Sequence, residues 1–293
     1  PAAIDREWPT PPVEHGAART REPVTPRRAF DLELLEELNR EYETRRTVPE
    51  PPRYDASSIA GRARSRLMKV HARIDLLNQR VLEVGCGPGF EVWFLGNQFG
   101  CEAHGVDIVE WTSWTSLAGE RARYTCADLA KDHPYPADFF DRAISFTVWE
   151  HIRHPQSALA ELYRILRPGG LAWIRANLHR GATASHRYRD IYFPWPHLLF
   201  SDDVVSEFFR KRGKPESGWA WVNRLTWDEY VRCFGALGFA VRMARFDRRP
   251  LDEAFYRRFE DVLGRYPVWD LTTEYFTVVL QKPGKTDPRE KAR

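Results

Sequence analysis

The sequence predicts an α/β fold in which a largely parallel sheet is covered by helices on both faces. The run Val81-Leu-Glu-Val-Gly-Cys-Gly-Pro-Gly-Phe90 is apolar and ends in three alternating glycines, the pattern of a buried strand that turns sharply into a loop. Gly85, Gly87 and Gly89 have no Cβ, so the backbone there can take positive φ and let a ligand approach; a helix starting near Glu91 would aim its N-terminus at the same place. A second short strand, His104–Ile108, ends in Asp107 about twenty residues further on, the spacing of a βαβ unit. Tyr124–Leu129, ending on Asp128, and Asp141–Phe146 repeat the strand pattern, so strands alternate with helical segments as a doubly wound sheet requires.

The remaining elements follow from periodicity and caps. From Ser157 an amphipathic helix carries Leu159, Leu162 and Leu166 on one face, is stopped by Pro168 and Gly169, and leads to a fifth strand over Leu171–Ala176. Thr226-Trp-Asp-Glu229 is a capping box that opens a helix closed by Gly238. Phe239–Phe246 alternates as a strand, Leu251–Gly264 reads as a helix, and Glu274–Gln281 is the last strand. Upstream, Phe30, Leu34, Leu35, Leu38 and Tyr42 recur at helical spacing, and a second helix from about Ser57 to Leu77 follows Pro49, Pro51 and Pro52. On the residues alone, such helices cap the sheet edge or make a dimer contact. The expected organisation is a Pro- and charge-rich arm over residues 1–55 with one amphipathic helix, a main domain over 56–282, and a polar tail over 283–293. Residues 177–218 read as an irregular insert loaded with aromatics.

The glycine pattern is G-x-G-x-G behind Glu83, not the G-x-G-x-x-G of dinucleotide sites. Together with Phe139-Phe-Asp141, Glu150-His151 and the Arg164-Ile-Leu-Arg-Pro-Gly-Gly170 turn, it resembles the class I S-adenosylmethionine-dependent methyltransferases over roughly Arg80 to Ala176. Trp195-Pro-His-Leu-Leu-Phe-Ser201 and Asn223-Arg-Leu-Thr-Trp-Asp-Glu-Tyr230 are similar to stretches of bacterial sugar and secondary-metabolite methyltransferases. The resemblance implies a Rossmann-like seven-stranded sheet of order 3-2-1-4-5-7-6 with the last strand antiparallel. It also implies S-adenosyl-L-methionine as cofactor, with Gly85, Gly87 and Gly89 at the methionine end beside Glu83. Asp107 would meet the ribose, Ile108 the purine, Asp128 and Leu129 the adenine, and Phe146 would line the site from the end of the fourth strand. For the two aspartates, turn formation is the plainer alternative.

A hydroxyl acceptor needs a base during methyl transfer, whereas an amine need only arrive unprotonated. His179, His151, His186 and His197 lie past strand ends that face the methyl group and are the candidate bases; each is also readable as an ordinary loop histidine. Tyr188, Asp190, Tyr192 and Trp195, with Arg187 and Arg189 nearby, are the candidate acceptor contacts. Some relatives carry E-x-x-E-H after the fourth strand and bind a divalent ion. Here Thr147 replaces the first acid, leaving Glu150 and His151 without a third ligand, so no metal is expected. The Asp/Asn-Pro-Pro-aromatic motif of base-flipping amino-methyltransferases is replaced by Ser145-Phe-Thr-Val-Trp-Glu150.

A net charge of +3 over 293 residues leaves no general nucleic-acid footprint, and 43% hydrophobic residues suffice for one sizeable core. Four unpaired-looking cysteines and the lack of an apolar run of membrane-spanning length fit a reduced, cytoplasmic protein. The expected partner is a small-molecule acceptor, with no nucleic acid and no membrane; a homo-oligomer stays open. O-methylation is the first reading, N-methylation of an amine or amino sugar the second, and a non-catalytic cofactor-binding regulator the third.

Overall fold

A computed structural model of the chain describes residues 29–44, 55–214 and 221–284. The expected arm before residue 29, its part over 45–54 with Pro49, Pro51 and Pro52, the tail from 285 and the end of the insert beyond 214 lie outside the described residues. Two helices, α1 (Leu32–Tyr42) and α2 (Ala56–His71), precede β1 (Arg80–Val84), α3 (Phe90–Gln98), β2 (Glu102–Asp107), α4 (Trp114–Leu117) and β3 (Ala122–Cys126). Then come β4 (Phe140–Phe146), a 3₁₀ turn at Trp149–His151, α5 (Pro155–Ile165) and β5 (Leu166–Asn177). The chain continues through α6 (Pro196–Leu199), α7 (Asp202–Lys211), α8 (Trp227–Leu237), β6 (Ala240–Arg248), α9 (Glu253–Arg258), α10 (Glu260–Leu263), α11 (Val268–Thr272) and β7 (Thr273–Gln281).

The seven strands are ordered β3-β2-β1-β4-β5-β7-β6, as expected. Pairing is parallel from β3 to β5, and β7 runs antiparallel to both β5 and β6. Side chains alternate across the sheet, which divides the core. Leu82, Ile174 and Val278 pack with Leu159 and Leu162 of α5 and Phe234 of α8 on one face. Val81, Ile144 and Val279 pack with Leu67 and Val70 of α2 and Val92 and Leu95 of α3 on the other. No helix among the described residues is long and apolar enough to cross a membrane.

The structure departs from the sequence expectation in two places that shape the site. Helix α5 stops at Ile165, because the next residues are drawn into the sheet: Leu166 pairs with Phe140, and Gly169, at φ 81°, donates its N–H to the Lys282 carbonyl at 2.8 Å. The insert is not irregular throughout. Ser201 caps α7 by accepting the Val204 N–H at 3.4 Å, with Asp202 and Asp203 in its first turn and Arg210 and Lys211 in its last, charges that complement the helix dipole.

The insert has its own core. Leu34, Leu35, Leu38 and Tyr42 of α1 pack against Phe193, Trp195, Phe200, Phe208 and Phe209 of the insert and Phe255 and Phe259 beyond it. Asn39 joins the two segments from both ends of its amide, donating to the Asp190 carbonyl at 2.9 Å and accepting the Tyr192 N–H at 2.8 Å. Arg258 adds contacts to Glu41 at 2.6 Å and Glu37 at 3.2 Å. Truncating Leu38, which is 0% exposed, should therefore loosen the insert as well as destabilise the fold. Leu38→Ala is expected to cost about 2–5 kcal/mol in denaturant unfolding and to speed proteolytic cleavage within residues 177–214. Unchanged cleavage there would show that α1 does not hold the insert in place.

Candidate active site

The loop after β1 is shaped by three positive-φ glycines. Gly85, Gly87 and Gly89 have φ of 70°, 47° and 85°. A Cβ at Gly85 would lie 2.3 Å from the Val148 side chain and one at Gly89 would lie 2.4 Å from Tyr124, so both are closed by packing. At Gly87 a Cβ would meet nothing within 4 Å, so the loop presents bare backbone to open space there. Side chains from the segment after β2 hold this shape: Trp114 donates its indole N–H to the Gly87 carbonyl, and the Ser113 and Tyr124 hydroxyls donate to the Pro88 and Gly89 carbonyls, each at 2.8 Å. Trp114 and Tyr124 also stack, with centroids 5.4 Å apart. None of these three was apparent from sequence, because each reaches the loop from a distant strand or turn.

Asp107 ends β2 and accepts the Gly87 N–H at 2.8 Å through one oxygen and the Val109 N–H at 3.1 Å through the other. It thus fixes the loop and stands beside the open face. Ile108 is 69% exposed next to it, an apolar side chain with no protein cover. Asp128 accepts the Ala130 N–H at 2.9 Å and pairs with Lys131 at 3.3 Å, the turn-forming geometry, while Leu129 packs in the core. Glu83 is 3% exposed and one carboxylate oxygen has no hydrogen-bonding partner. Burial, then the Glu91 charge, push its carboxyl well above the usual range, and Arg66, which binds Glu91 at 2.9 Å and lies over the Phe146 ring, opposes them.

An open glycine cradle, an exposed apolar side chain beside a strand-end acid, and a buried carboxylate short of a partner fit S-adenosylmethionine. They offer close backbone approach, a purine face, a hydroxyl acceptor, and a countercharge for an ammonium group.

Beyond β4 and β5 the structure gathers the four histidines into two pairs. His151 and His186 have ring centroids 4.9 Å apart, and His179 and His197 have theirs 5.0 Å apart. His151 bonds the Trp221 carbonyl through Nδ1 at 2.9 Å, and His197 bonds the His179 carbonyl through Nε2 at 2.6 Å. The Nδ1 atoms of His179 and His197 and the Nε2 of His186 are buried without partners. Burial lowers all four pKa values. It takes His179, flanked by Arg224 and Arg180, to about 4, and His186, beside His151, also to about 4. A small crevice lined by Leu178, His179, Arg180, Thr226, Trp227 and Asp270 opens at the end of β5.

Glu150 lies in the 3₁₀ turn, 2% exposed, and neither carboxylate oxygen has a hydrogen-bonding partner. Burial pushes its carboxyl up to about 8, with only partial compensation from the main-chain N–H groups of Glu150 and Asn177, which lie nearby without hydrogen-bonding geometry, and from the charge of Arg175. The sequence offers no third potential ligand next to Glu150 and His151, but the fold brings one near. His186, on the turn after Thr183, places a potential ligand atom within 4.8 Å of one from each of the other two.

The acceptor-side expectations divide. Trp195 is 1% exposed and donates its indole N–H to the Leu271 carbonyl at 3.1 Å, so it is a core side chain whose polar edge is already used. Asp190 pairs with Lys214, and the backbones of Asp190 and Tyr192 anchor Asn39, so these two residues tie the insert to α1. Tyr188 is half-buried near Tyr275, whose phenol is raised by burial and by the charges of Glu150 and Tyr188.

Residues 82–174 match the family model described as a methyltransferase domain. The chain is 33% identical over 140 residues to 2-methyl-6-phytyl-1,4-hydroquinone methyltransferase 2 of Oryza sativa, covering 46% of this chain and 38% of that protein. It is 31% identical over 142 residues to tocopherol O-methyltransferase of Arabidopsis thaliana, covering 45% and 38%. The chain thus spans under half the length of these relatives. An S-adenosylmethionine-dependent methyltransferase from Mesorhizobium loti superposes with a TM-score of 0.51 at 18% identity, over 75% of this chain and 97% of that one. With this cofactor, Asp107→Ala should weaken binding by about 2–4 kcal/mol, since it removes a carboxylate acceptor and frees the Gly87 N–H. Calorimetry showing unchanged affinity in a folded variant would remove Asp107 from the site. Residues 82–174 thus carry a methyltransferase domain, and the glycine loop and the sheet order give it the class I S-adenosylmethionine-dependent fold, with S-adenosyl-L-methionine as the cofactor that the loop fits.

Proposed function

We propose that the chain transfers the cofactor's sulfonium methyl group to a hydroxyl of a small molecule, a sugar or secondary metabolite, with His179 as general base. The observation that carries this is the placement of His179. It directly follows β5, its Nδ1 is buried and unpartnered, and its own carbonyl is held by His197 at 2.6 Å. The cofactor supplies a strongly electrophilic methyl group. The protein's part is to align the acceptor oxygen, exclude water and receive a proton. A pKa near 4 keeps the His179 imidazole neutral across the physiological range, the form that can take the proton as the carbon–oxygen bond forms.

The tocopherol relative, whose name specifies O-methylation, supports the hydroxyl reading, and the modest net charge supports a small acceptor over a nucleic acid. Glu83, Gly85, Gly87, Asp107 and Ile108 would hold the cofactor, with Phe146 closing the methionine end. Tyr188, beside Tyr275, would border the acceptor.

Replacing His179 by Gln should lower kcat by roughly a hundredfold while leaving cofactor affinity intact. Near-normal turnover in this variant would move the reading to an amine acceptor that needs no base. The pH profile gives a separate check. Protonation of His179 abolishes the base, so kcat/KM should be flat from about pH 6 to 8 and fall only as pH drops towards about 4. An inflection near the ordinary histidine value of about 6.5 would exclude the buried His179 as the base.

A further inference from the structure

We infer that Glu150, His151 and His186 form a binding site for a divalent first-row transition cation of the zinc and cobalt class. One ligand atom from each residue lies within 4.8 Å of the other two. Donors each about 2.1 Å from a common ion lie at most about 4.2 Å apart, so a small contraction of these side chains brings all three onto one ion.

A second observation is independent of that clustering. The Glu150 carboxylate is 2% exposed with both oxygens unbonded, and the buried Nε2 of His186 is also without a partner. Buried polar atoms are ordinarily satisfied, and a carboxylate and an imidazole, both left with unpaired buried atoms in one cluster, call for a ligand that is cationic and accepts lone pairs. His151 is oriented for the same role. A bond from its Nδ1–H to the Trp221 carbonyl puts the lone pair on Nε2, the outer hydrogen bond that metal-binding histidines typically make.

The surrounding structure holds the donors in place. Asn223 accounts for two bonds to the 3₁₀ turn, from its N–H to the Glu150 carbonyl at 2.7 Å and from its Nδ2 to the Trp149 carbonyl at 2.6 Å. His186 sits at φ 55° and donates its N–H to the Thr183 carbonyl at 3.1 Å, and Thr183 is itself tied to Glu274. Arg175, the cation whose charge acts on Glu150, is bound by Asp247 at 2.5 Å and lies over the Tyr275 ring.

The donor set selects the cation. Two imidazoles and one carboxylate suit zinc, cobalt and their neighbours, whereas magnesium and calcium require mostly oxygen. Three protein donors also leave coordination positions open; that one of them takes an acceptor oxygen rests on the hydroxyl reading given above.

The test is a titration of the full chain with Co²⁺, followed by visible ligand-field absorption and by the thermal midpoint, without cofactor or acceptor. The wild type should develop the absorption and rise in melting temperature. Glu150→Gln and His186→Asn should each lose at least about tenfold in affinity, and His71→Gln on α2 should bind as the wild type does. Metal-free Glu150→Gln should melt no lower than the wild type, since it removes a buried carboxylate that has no partner, so lost binding cannot be ascribed to lost folding. Wild-type affinity retained in Glu150→Gln or in His186→Asn, or the absence of Co²⁺ binding by the wild type, would overturn the site. Turnover is not read, so a failure of the hydroxyl reading leaves this outcome unaffected.

Discussion

The buried carboxylate of Glu274 decides where the chain goes after β5. Its Oε2 accepts the Thr183 N–H at 3.2 Å and the Thr183 hydroxyl at 2.5 Å, and its main-chain carbonyl accepts the Leu178 N–H and the Asn177 amide, both at 2.8 Å. Burial raises its pKa, and bonds from Thr183 with the nearby Arg249 charge oppose that rise. Bonds to an ionised acceptor contribute about 1.5–3 kcal/mol each, enough to offset much of the cost of burial. Because β7 runs antiparallel between β5 and β6, this one residue of β7 sits opposite the exit of β5. It can therefore fix both the first residues of the insert, with His179 among them, and the turn that carries His186.

The same end of the sheet is where polar satisfaction fails. Glu150, His179, His186 and His197 are buried near the ends of β4 and β5 with unbonded atoms, while Arg80, Arg164 and Lys282, away from that end, have hydrogen-bonding partners. Leaving several buried polar groups unpaired costs stability that a purely structural surface would not give up. The scaffold tolerates it because the flanking backbone is tied down independently, by Asn223 against the 3₁₀ turn and by Glu274 against the insert. A rigid frame around unsatisfied groups is what preorganised chemistry requires, since the groups then need no reorganisation when a ligand arrives.

The sheet was legible in the sequence because its signals are local. Alternating glycines after an apolar run, acids at successive strand ends and the Pro-Gly-Gly turn each lie within a few residues; the strand order itself came with the family resemblance that those motifs carry. The missed features depend on contacts across the chain. Arg66, Trp114 and Tyr124 shape the cofactor loop from other elements, and His186 comes near Glu150 only in the folded chain. Helix α7 was different, for its Ser-Asp-Asp cap was present at 201–203 and was outweighed by the aromatic irregularity around it. Trp195 shows the reverse error: aromatic density suggested a binding surface, but the indole is core because α1 supplies the apolar partners that an isolated insert would lack.

That third core also constrains how the acceptor side can work. A segment whose aromatics already pack on α1 and α9, and whose backbone is pinned through Asn39, has spent its ordering entropy before any acceptor binds. Recognition then rests on fit to a preformed wall, with movement confined to short connections such as the turn at 183–186. Selectivity should follow from the shape and charge of that wall, with the His179–His197 and His151–His186 pairs beside it, more than from closure of a flexible lid. The helix before the domain thereby acquires a functional role at a distance: by completing the core under the insert, α1 sets the position of residues it never touches.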